Sequence, residues 1–124
     1  MDKISLRNEI MSLTNQLVET NSVSGQEGPC AKTLQNYFQD KSVESRLEEV
    51  EPGRYNLVAK VSGMKPTILF NGHTDMVDVV DGWTSNDPFK LETDGGWMLG
   101  AGVANMKGGL AAQDVSTAFM AGGT

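Results

Sequence analysis

The chain has 124 residues, with 16 acidic and 10 basic side chains and a formal charge of −6. This excess of acid excludes the basic surfaces typical of nucleic-acid binders and polybasic membrane binders. Hydrophobic residues make up 39% and charged residues 21%, which is typical of a folded domain and excludes a disordered tail. Cys30 is the only cysteine, so there is no internal disulfide, and no apolar run approaches the roughly 18 residues of a membrane helix. We therefore expect one soluble, cytoplasmic domain.

The first forty residues predict two helices. Apolar residues at helical spacing indicate the first, from about Lys3 to Val18: Leu6, Ile10, Leu13 and Leu17. Ser24 stands three residues before Glu27, the spacing of a capping box, and predicts the start of the second helix. The apolar positions of that helix continue to about Asp40: Ala31, Leu34, Tyr37 and Phe38.

Three strands are predicted next. Val43, Ser45 and Leu47 alternate with charged residues, which indicates a strand with one polar face at or near a sheet edge. After a turn at Pro52-Gly53, residues from Tyr55 to Val61 alternate again. The continuous apolar run Thr67–Phe70 instead predicts a strand buried on both faces. Its carboxyl end leads directly to Asn71-Gly72-His73, and in α/β sheets functional sites gather at that end.

The C-terminal part of the chain predicts a long loop, a short hairpin and a last helix. The segment from Thr74 to Asp94 has little periodicity, and such long loops are usually functional. Phe89–Thr93 and Trp97–Leu99 can pair around Asp94-Gly95-Gly96. The glycine-rich segment GAGVANMKGG precedes a helix from about Lys107 that fades at residues 121–123. We expect an α/β fold, a mixed sheet flanked by helices, that forms the first part of a larger domain.

His73 is the only histidine, and Asp75 follows it by two residues. A carboxylate beside an imidazole orients the ring and raises its basicity, an arrangement common for metal-binding histidines. The alternative is a histidine whose hydrogen bonds are satisfied locally at a strand end.

The glycine-rich segment does not match a phosphate-binding motif. Asn105 stands where a Rossmann fingerprint needs its third glycine, and Lys107 precedes Gly108 where a P-loop lysine follows a glycine. Two structural interpretations remain open. Lys107 is either solvated or caps the loop, and Asn105 is either part of a site or a turn residue that caps the following helix.

Taken in order, several motifs resemble the signature of the M20 metallopeptidases: NGHTDMVDV, a tryptophan, DPF, a DG turn and GAGVANMKGG. That family includes acetylornithine deacetylase, succinyl-diaminopimelate desuccinylase, aminoacylase and glutamate carboxypeptidase. NSVSGQEG and EVEPGRYNLVAKVSG also resemble the family's N-terminal region. The resemblance implies that residues 1–124 form the N-terminal portion of a zinc-peptidase-like catalytic domain, without a dimerisation or lid domain.

The resemblance also implies a role for each matching residue. His73 corresponds to a ligand of one of two Zn²⁺ ions, for which Co²⁺ is a possible substitute, and Asp75 to the catalytic-site carboxylate that orients this ligand. Asn105 stands where the family has an aspartate bridging both metals, and Ala101 stands where it has an arginine. Because an amide offers one neutral oxygen, we expect weak metal binding or none in this chain.

The implied activity is hydrolysis of an amide bond in a small N-acyl amino acid or peptide, with no nucleic-acid or membrane partner. Complete members of the family are often homodimers. The family's general base, a glutamate in a Glu-Glu pair, and its late histidine ligand fall beyond Thr124, so the isolated chain is expected to be inactive. The alternative is a non-catalytic relative that at most binds metal or serves as an interaction module.

Overall fold

The structure, a computed structural model, describes residues 2–83 and 87–122. In chain order its elements are α1 (Lys3–Glu19), α2 (Gly28–Asp40), β1 (Glu44–Glu51), β2 (Arg54–Lys60), β3 (Glu92–Asp94), β4 (Trp97–Leu99), a π-helical turn (Val103–Lys107) and α3 (Gly108–Ala121). Both helices and strands are present, so the predicted mixed α/β class is confirmed.

The core lies where the three helices meet. Asp2 caps α1 by accepting a hydrogen bond from the Ser5 amide at 2.8 Å. The apolar stripes predicted from the sequence face inward, as expected for helices that bury one face. The buried core residues are Leu13 and Leu17 of α1, Cys30, Leu34, Tyr37 and Phe38 of α2, Val43, and Leu110, Ala111, Val115 and Ala118 of α3.

The predicted capping box at the start of α2 is wrong. Glu27 is the residue before the helix, no side chain caps the helix, and Pro29 occupies its first turn. Glu27 accepts a hydrogen bond from the Gly25 amide and pairs with Arg54 at 2.8 Å. The Ser24 hydroxyl instead bonds to Asp75. A capping box needs serine directly before the first helical turn, but α2 begins at Gly28, four residues after Ser24, so the Ser24 hydroxyl is free to donate to the distant carboxylate.

Strands β1 and β2 form an antiparallel hairpin that packs on α2. Glu44 pairs with Lys60 and Leu47 with Leu57, and the turn places Gly53 at φ +77°. The Glu27–Arg54 pair ties this turn to the start of α2. Hydrogen bonds from Arg54 lower the pKa of Glu27 to about 2, although burial of the carboxylate opposes this shift.

The predicted buried strand at Thr67–Phe70 is not formed. The side chains of Ile68, Leu69 and Phe70 are 77, 86 and 55% exposed. The described residues form two separate two-stranded sheets, β1–β2 and β3–β4, so the single mixed sheet is also a wrong prediction. A strand buried on both faces needs paired neighbours and cover on each side. Here α3 lies close to the chain at Gly72, just after the segment. A Cβ added to Gly72 would lie 3.0 Å from side-chain atoms of Leu110 and Gln113.

The remaining predicted elements are confirmed with shifted boundaries. The β3–β4 hairpin turns at Gly95 and Gly96, both with positive φ, and its first strand begins at Glu92. Within the predicted long loop, Thr84–Asn86 lie outside the described residues. The last helix starts at Gly108, directly after the π-helical turn. Within the described part of the chain, we find no helix that is both long and apolar enough to span a membrane.

Candidate metal centre

Two segments that are distant in sequence run side by side at the candidate site. One follows α1 and contains Ser22, Val23 and Ser24, and the other is 73–76. Val23 and Met76 form a parallel bridge, in which the Met76 amide donates to the Ser22 carbonyl at 2.9 Å and the Ser24 amide to the Met76 carbonyl at 3.2 Å. The Ser22 hydroxyl adds a bond to the Thr74 carbonyl at 2.7 Å. The backbone itself therefore fixes this pairing.

His73 lies between Asp75 and Asn105. Its Nδ1 is 3.0 Å from the Asp75 carbonyl oxygen and 3.0 Å from Asp75 Oδ1, and its Nε2 is 2.8 Å from Asn105 Oδ1. Asp75 therefore presents two acceptors to Nδ1, and Asn105 presents an amide oxygen to Nε2, so polar contacts hold the ring on both sides. The structure thus brings together all three residues selected from the sequence.

Ser24 extends this arrangement to a fourth residue. Its hydroxyl donates to Asp75 Oδ2 at 2.5 Å, while Oδ1 faces His73. We call the series Ser24–Asp75–His73–Asn105 the polar chain. Sequence reasoning assigned Ser24 to a helix cap, and the only signal for another role was its position in NSVSGQEG, which resembles the family's N-terminal region.

Lys107 ties the Asn105 loop to the paired segments. It is 1% exposed, and its Nζ donates to the Thr20 carbonyl at 2.8 Å and lies 3.6 Å from Met76 Sδ. Burial lowers the pKa of this ammonium group. The interpretation of Lys107 as solvated is therefore wrong, because its buried side chain reaches the end of α1. The Lys107 amide also donates to the Gly102 carbonyl at 2.9 Å, which holds the glycine-rich loop.

The residues present fit part of a zinc site. Zinc accepts imidazole nitrogen and carboxylate oxygen, usually with three protein ligands in catalytic sites. His73 Nε2 and Asn105 Oδ1 supply two donors, and the side chains of His73 and Asp75 are 45 and 39% exposed, so the site opens to solvent. In the described part of the chain, no three His, Cys, Asp or Glu residues are grouped to hold a metal.

The 2.8 Å contact between His73 and Asn105 is an alternative to metal binding rather than a preformed site. Two ligands of a tetrahedral zinc ion at about 2.0–2.1 Å are roughly 3.3 Å apart. Nε2 and Oδ1 must therefore separate by about half an ångström to share an ion. A hydrogen bond between them requires a proton on Nε2 or a rotated Asn105 amide, and a metal ion would replace that contact.

The comparison with known families covers this site. The model for Peptidase family M20/M25/M40 matches residues 69–115, which include His73, Asp75 and Asn105. The chain belongs to the M20 family. This M20 chain is 32% identical over 106 residues to the "Probable succinyl-diaminopimelate desuccinylase" of Staphylococcus aureus (strain Mu50 / ATCC 700699), covering 84% of the chain and 26% of that relative.

A second group of relatives carries another name. The "Acetylornithine deacetylase" of Buchnera aphidicola subsp. Schizaphis graminum (strain Sg) is 33% identical over 100 residues, covering 80% of this chain and 25% of the relative. The enzyme of that name from Vibrio campbellii (strain ATCC BAA-1116) is 31% identical over 99 residues, 74% of the chain and 26% of the relative. The M20 chain spans about a quarter of the length of the curated relatives it matches.

An open cleft elsewhere in the molecule contains none of the candidate residues. It has a volume of about 500 Å³ and lies between α1 and the β3–β4 hairpin, lined by residues that include Leu6, Arg7, Ile10, Trp97 and Met98. The candidate site is therefore the polar chain and not this cleft.

Proposed function

We propose that this chain contributes part of the metal centre of a hydrolase that cleaves amide bonds in small N-acyl amino acids or peptides. His73 Nε2 and Asn105 Oδ1 are the proposed metal ligands, and Asp75 is the catalytic-site carboxylate that orients His73. The observation that carries the proposal is the position of His73, with Asp75 at Nδ1 and Asn105 at Nε2. The names of the desuccinylase and deacetylase relatives support the substrate class.

The residues of the chain have distinct parts in this proposal. A bound zinc ion would polarise a substrate carbonyl and lower the pKa of a bound water. Asp75 holds the Nδ1 proton and so keeps the Nε2 lone pair available for the ion. Asn105 adds a neutral oxygen, which neutralises less of the metal's charge than an aspartate would. The exposed side of His73 leaves room for substrate and water.

A non-catalytic relative is the second candidate, and one observation favours it. With a proton on Nε2, His73 donates to Asn105 Oδ1 at 2.8 Å, and this hydrogen bond holds the loop without any ion. In that case the polar chain is structural, and zinc binds no more tightly to it than to scattered surface carboxylates.

Calorimetric zinc titration of four proteins separates the two candidates: the wild type, His73→Ala, Asp75→Ala and Asp78→Ala. The metal-centre proposal expects His73→Ala to remove specific binding and Asp75→Ala to weaken it by about 10- to 100-fold. Asp78→Ala, the control, removes an exposed carboxylate that accepts from the adjacent Val79 amide and should leave affinity unchanged. Equal affinity in wild type and His73→Ala would contradict the proposal, and a larger loss in Asp75→Ala would exchange the two roles.

A further inference from the structure

We propose that the cleft between α1 and the β3–β4 hairpin is a second ligand site, which binds a small aromatic carboxylate. The ring of the ligand lies against Trp97, and its carboxylate lies against Arg7 and Lys3. The cleft has a volume of about 500 Å³, which is within the size range of small-molecule sites. No residue of the polar chain lines it, so this site is separate from the proposed metal centre and does not depend on its function.

The first wall of the cleft is one face of α1. Its lining residues recur at helical spacing and therefore share a side of the helix: Lys3, Leu6, Arg7, Ile10 and Met11. Leu6 and Ile10 are half-buried and pack against the helical core, so this wall is held in place before any ligand binds. A preformed wall lowers the entropy that binding must lose.

The second wall is the β3–β4 hairpin, which contributes Trp97 and Met98 to the cleft. Just after β4, the chain lies against the C-terminal half of α1, where a Cβ added to Gly100 would be 3.0 Å from Val18 Cγ1. The cleft instead lies along the N-terminal half of that helix. The two walls therefore meet at one end and separate toward the other, which leaves a space for a flat group between them.

The apolar side chains of the cleft favour an aromatic ring. Trp97 is largely exposed, so its indole offers a free surface on which a ring can stack. Met11 and Met98 lie on opposite walls, and their flexible thioethers make favourable contacts with the edges of aromatic rings. A planar aromatic body can therefore use both walls at once.

The charges of the cleft favour a single carboxylate. Lys3 and Arg7 are four residues apart on α1, a spacing at which like charges repel. Among the residues that the structure describes, neither forms an ion pair, although the chain has a formal charge of −6. A carboxylate beside them would relieve the repulsion, and the Arg7 guanidinium can bind it through two parallel hydrogen bonds. Asp94 on the hairpin wall would repel a second negative charge.

The test is a titration of the metal-free chain with 2-naphthoate, followed in ¹H–¹⁵N NMR spectra. We expect saturable shifts of the Trp97 indole N–H and of the backbone amides of residues 6–11 and 93–98, with a Kd of about 1 mM or below. Trp97→Ala identifies the indole signal and should weaken binding by about threefold or more. Two related compounds should also bind at least about threefold more weakly. They are the uncharged 2-naphthamide and the non-aromatic cyclohexanecarboxylate.

Charge variants test the position of the carboxylate. Arg7→Gln and Lys3→Gln should each weaken 2-naphthoate binding by about three- to tenfold and leave 2-naphthamide binding unchanged. Arg46→Gln is the matched control, because it removes an exposed arginine of β1 that does not line the cleft. Asp94→Asn should strengthen 2-naphthoate binding by about twofold. All four positions are exposed, and amide spectra report the fold of each variant.

Unchanged 2-naphthoate affinity in Arg7→Gln and Lys3→Gln would overturn the assignment of this site, as would equal binding of 2-naphthoate and 2-naphthamide. Weaker binding in Asp94→Asn would also contradict it. Shifts of the same amides on dilution without 2-naphthoate would show that a second copy of the chain occupies the cleft instead. Zinc titration tests the metal centre separately, so either site can fail without the other.

Discussion

The chemistry of His73 depends on the difference between its two neighbours. Asp75 offers a charged oxygen and a carbonyl to Nδ1, whereas Asn105 offers one neutral oxygen to Nε2. In the metal centre that we propose, the proton lies on the Asp75 side, and the Nε2 lone pair faces the metal next to Asn105. An aspartate at 105 would place a negative charge at both nitrogens and would make the space between Nε2 and residue 105 far more attractive to a cation.

Replacing Asn105 by Asp should strengthen zinc binding by at least about tenfold, because it adds a charge and a second donor oxygen at nearly constant volume. Calorimetric titration measures this affinity, and thermal melts report the fold. Asn56→Asp on β2 is the control, since it adds the same charge at an exposed position. Unchanged affinity with an unchanged melt would identify Asn105 as a turn residue and would count against a metal site at this loop.

Asp114 gives the molecule a pH dependence unrelated to the metal centre. It is 8% exposed in α3, and burial raises its pKa from 3.8 to about 7, although a hydrogen bond from Gln113 opposes the shift. Tyr37 and Cys30 are the titratable groups whose pKa values its charge also raises. Between pH 4 and 7 the folded state holds a proton that the unfolded state releases, so this residue's contribution to stability falls as pH rises.

The Asp114→Asn variant should therefore gain stability relative to wild type as pH rises from 5 to 8. We expect a gain of roughly 1–3 kcal/mol, below the full value of the pKa shift because the surroundings of a buried charge relax. Urea denaturation at both pH values measures the difference between the two proteins. Asp40→Asn, at an exposed position of α2, should show no such trend. A difference that is constant with pH would contradict the assignment of this titration to Asp114.

At the scale of elements, the segment Thr67–Phe70 differs most from its sequence pattern. Its apolar run is typical of a central strand, but its side chains face solvent beside α3. Leu69→Lys should therefore change the free energy of unfolding by less than about 0.5 kcal/mol. Leu17→Ala in the helical core should cost about 2–5 kcal/mol in the same urea experiment. A loss of several kcal/mol in Leu69→Lys would show that the segment is buried as the sequence predicted.

The elements that sequence predicted correctly are those determined by local spacing. The helices α1, α2 and α3 follow from apolar residues on one face, and the β1–β2 hairpin from alternation around Pro52-Gly53. The predicted burial of residues 67–70 was wrong, because burial of a strand depends on neighbours that are distant in sequence. The same difference between local and distant contacts applies to the candidate site. His73 and Asp75 are close in sequence, and the family resemblance added Asn105, but the contacts of Ser24 and Lys107 reach partners 51 and 87 residues away.

At the scale of the whole molecule, the M20 chain unites one helical core with one exposed polar site. The paired segments after α1 and around Asp75 bring His73 to one side of that site, and buried Lys107 ties the Asn105 loop to the other. The chain spans about a quarter of its relatives' length. His73 and Asn105 are the two metal ligands proposed in this chain.

The isolated 124-residue chain should show no measurable hydrolysis of acetylornithine, succinyl-diaminopimelate or simple N-acyl amino acids. His73 and Asn105 supply two donors where catalytic zinc usually has three, and Asp75, which holds Nδ1, is not free to accept a proton from water. Assays with zinc- and cobalt-loaded protein check this expectation. Turnover in the wild type that His73→Ala abolishes would contradict it.

The central claim is that His73 presents Nε2, and not Nδ1, to a metal ion next to Asn105. The most direct test is a zinc titration followed in the ¹⁵N spectrum of this single histidine. We predict that the Nε2 resonance moves with zinc while Nδ1 keeps its proton, and that Asn105→Asp reaches the same end point at lower zinc. Binding of zinc through Nδ1, or an imidazole spectrum unchanged at millimolar zinc, would contradict the account.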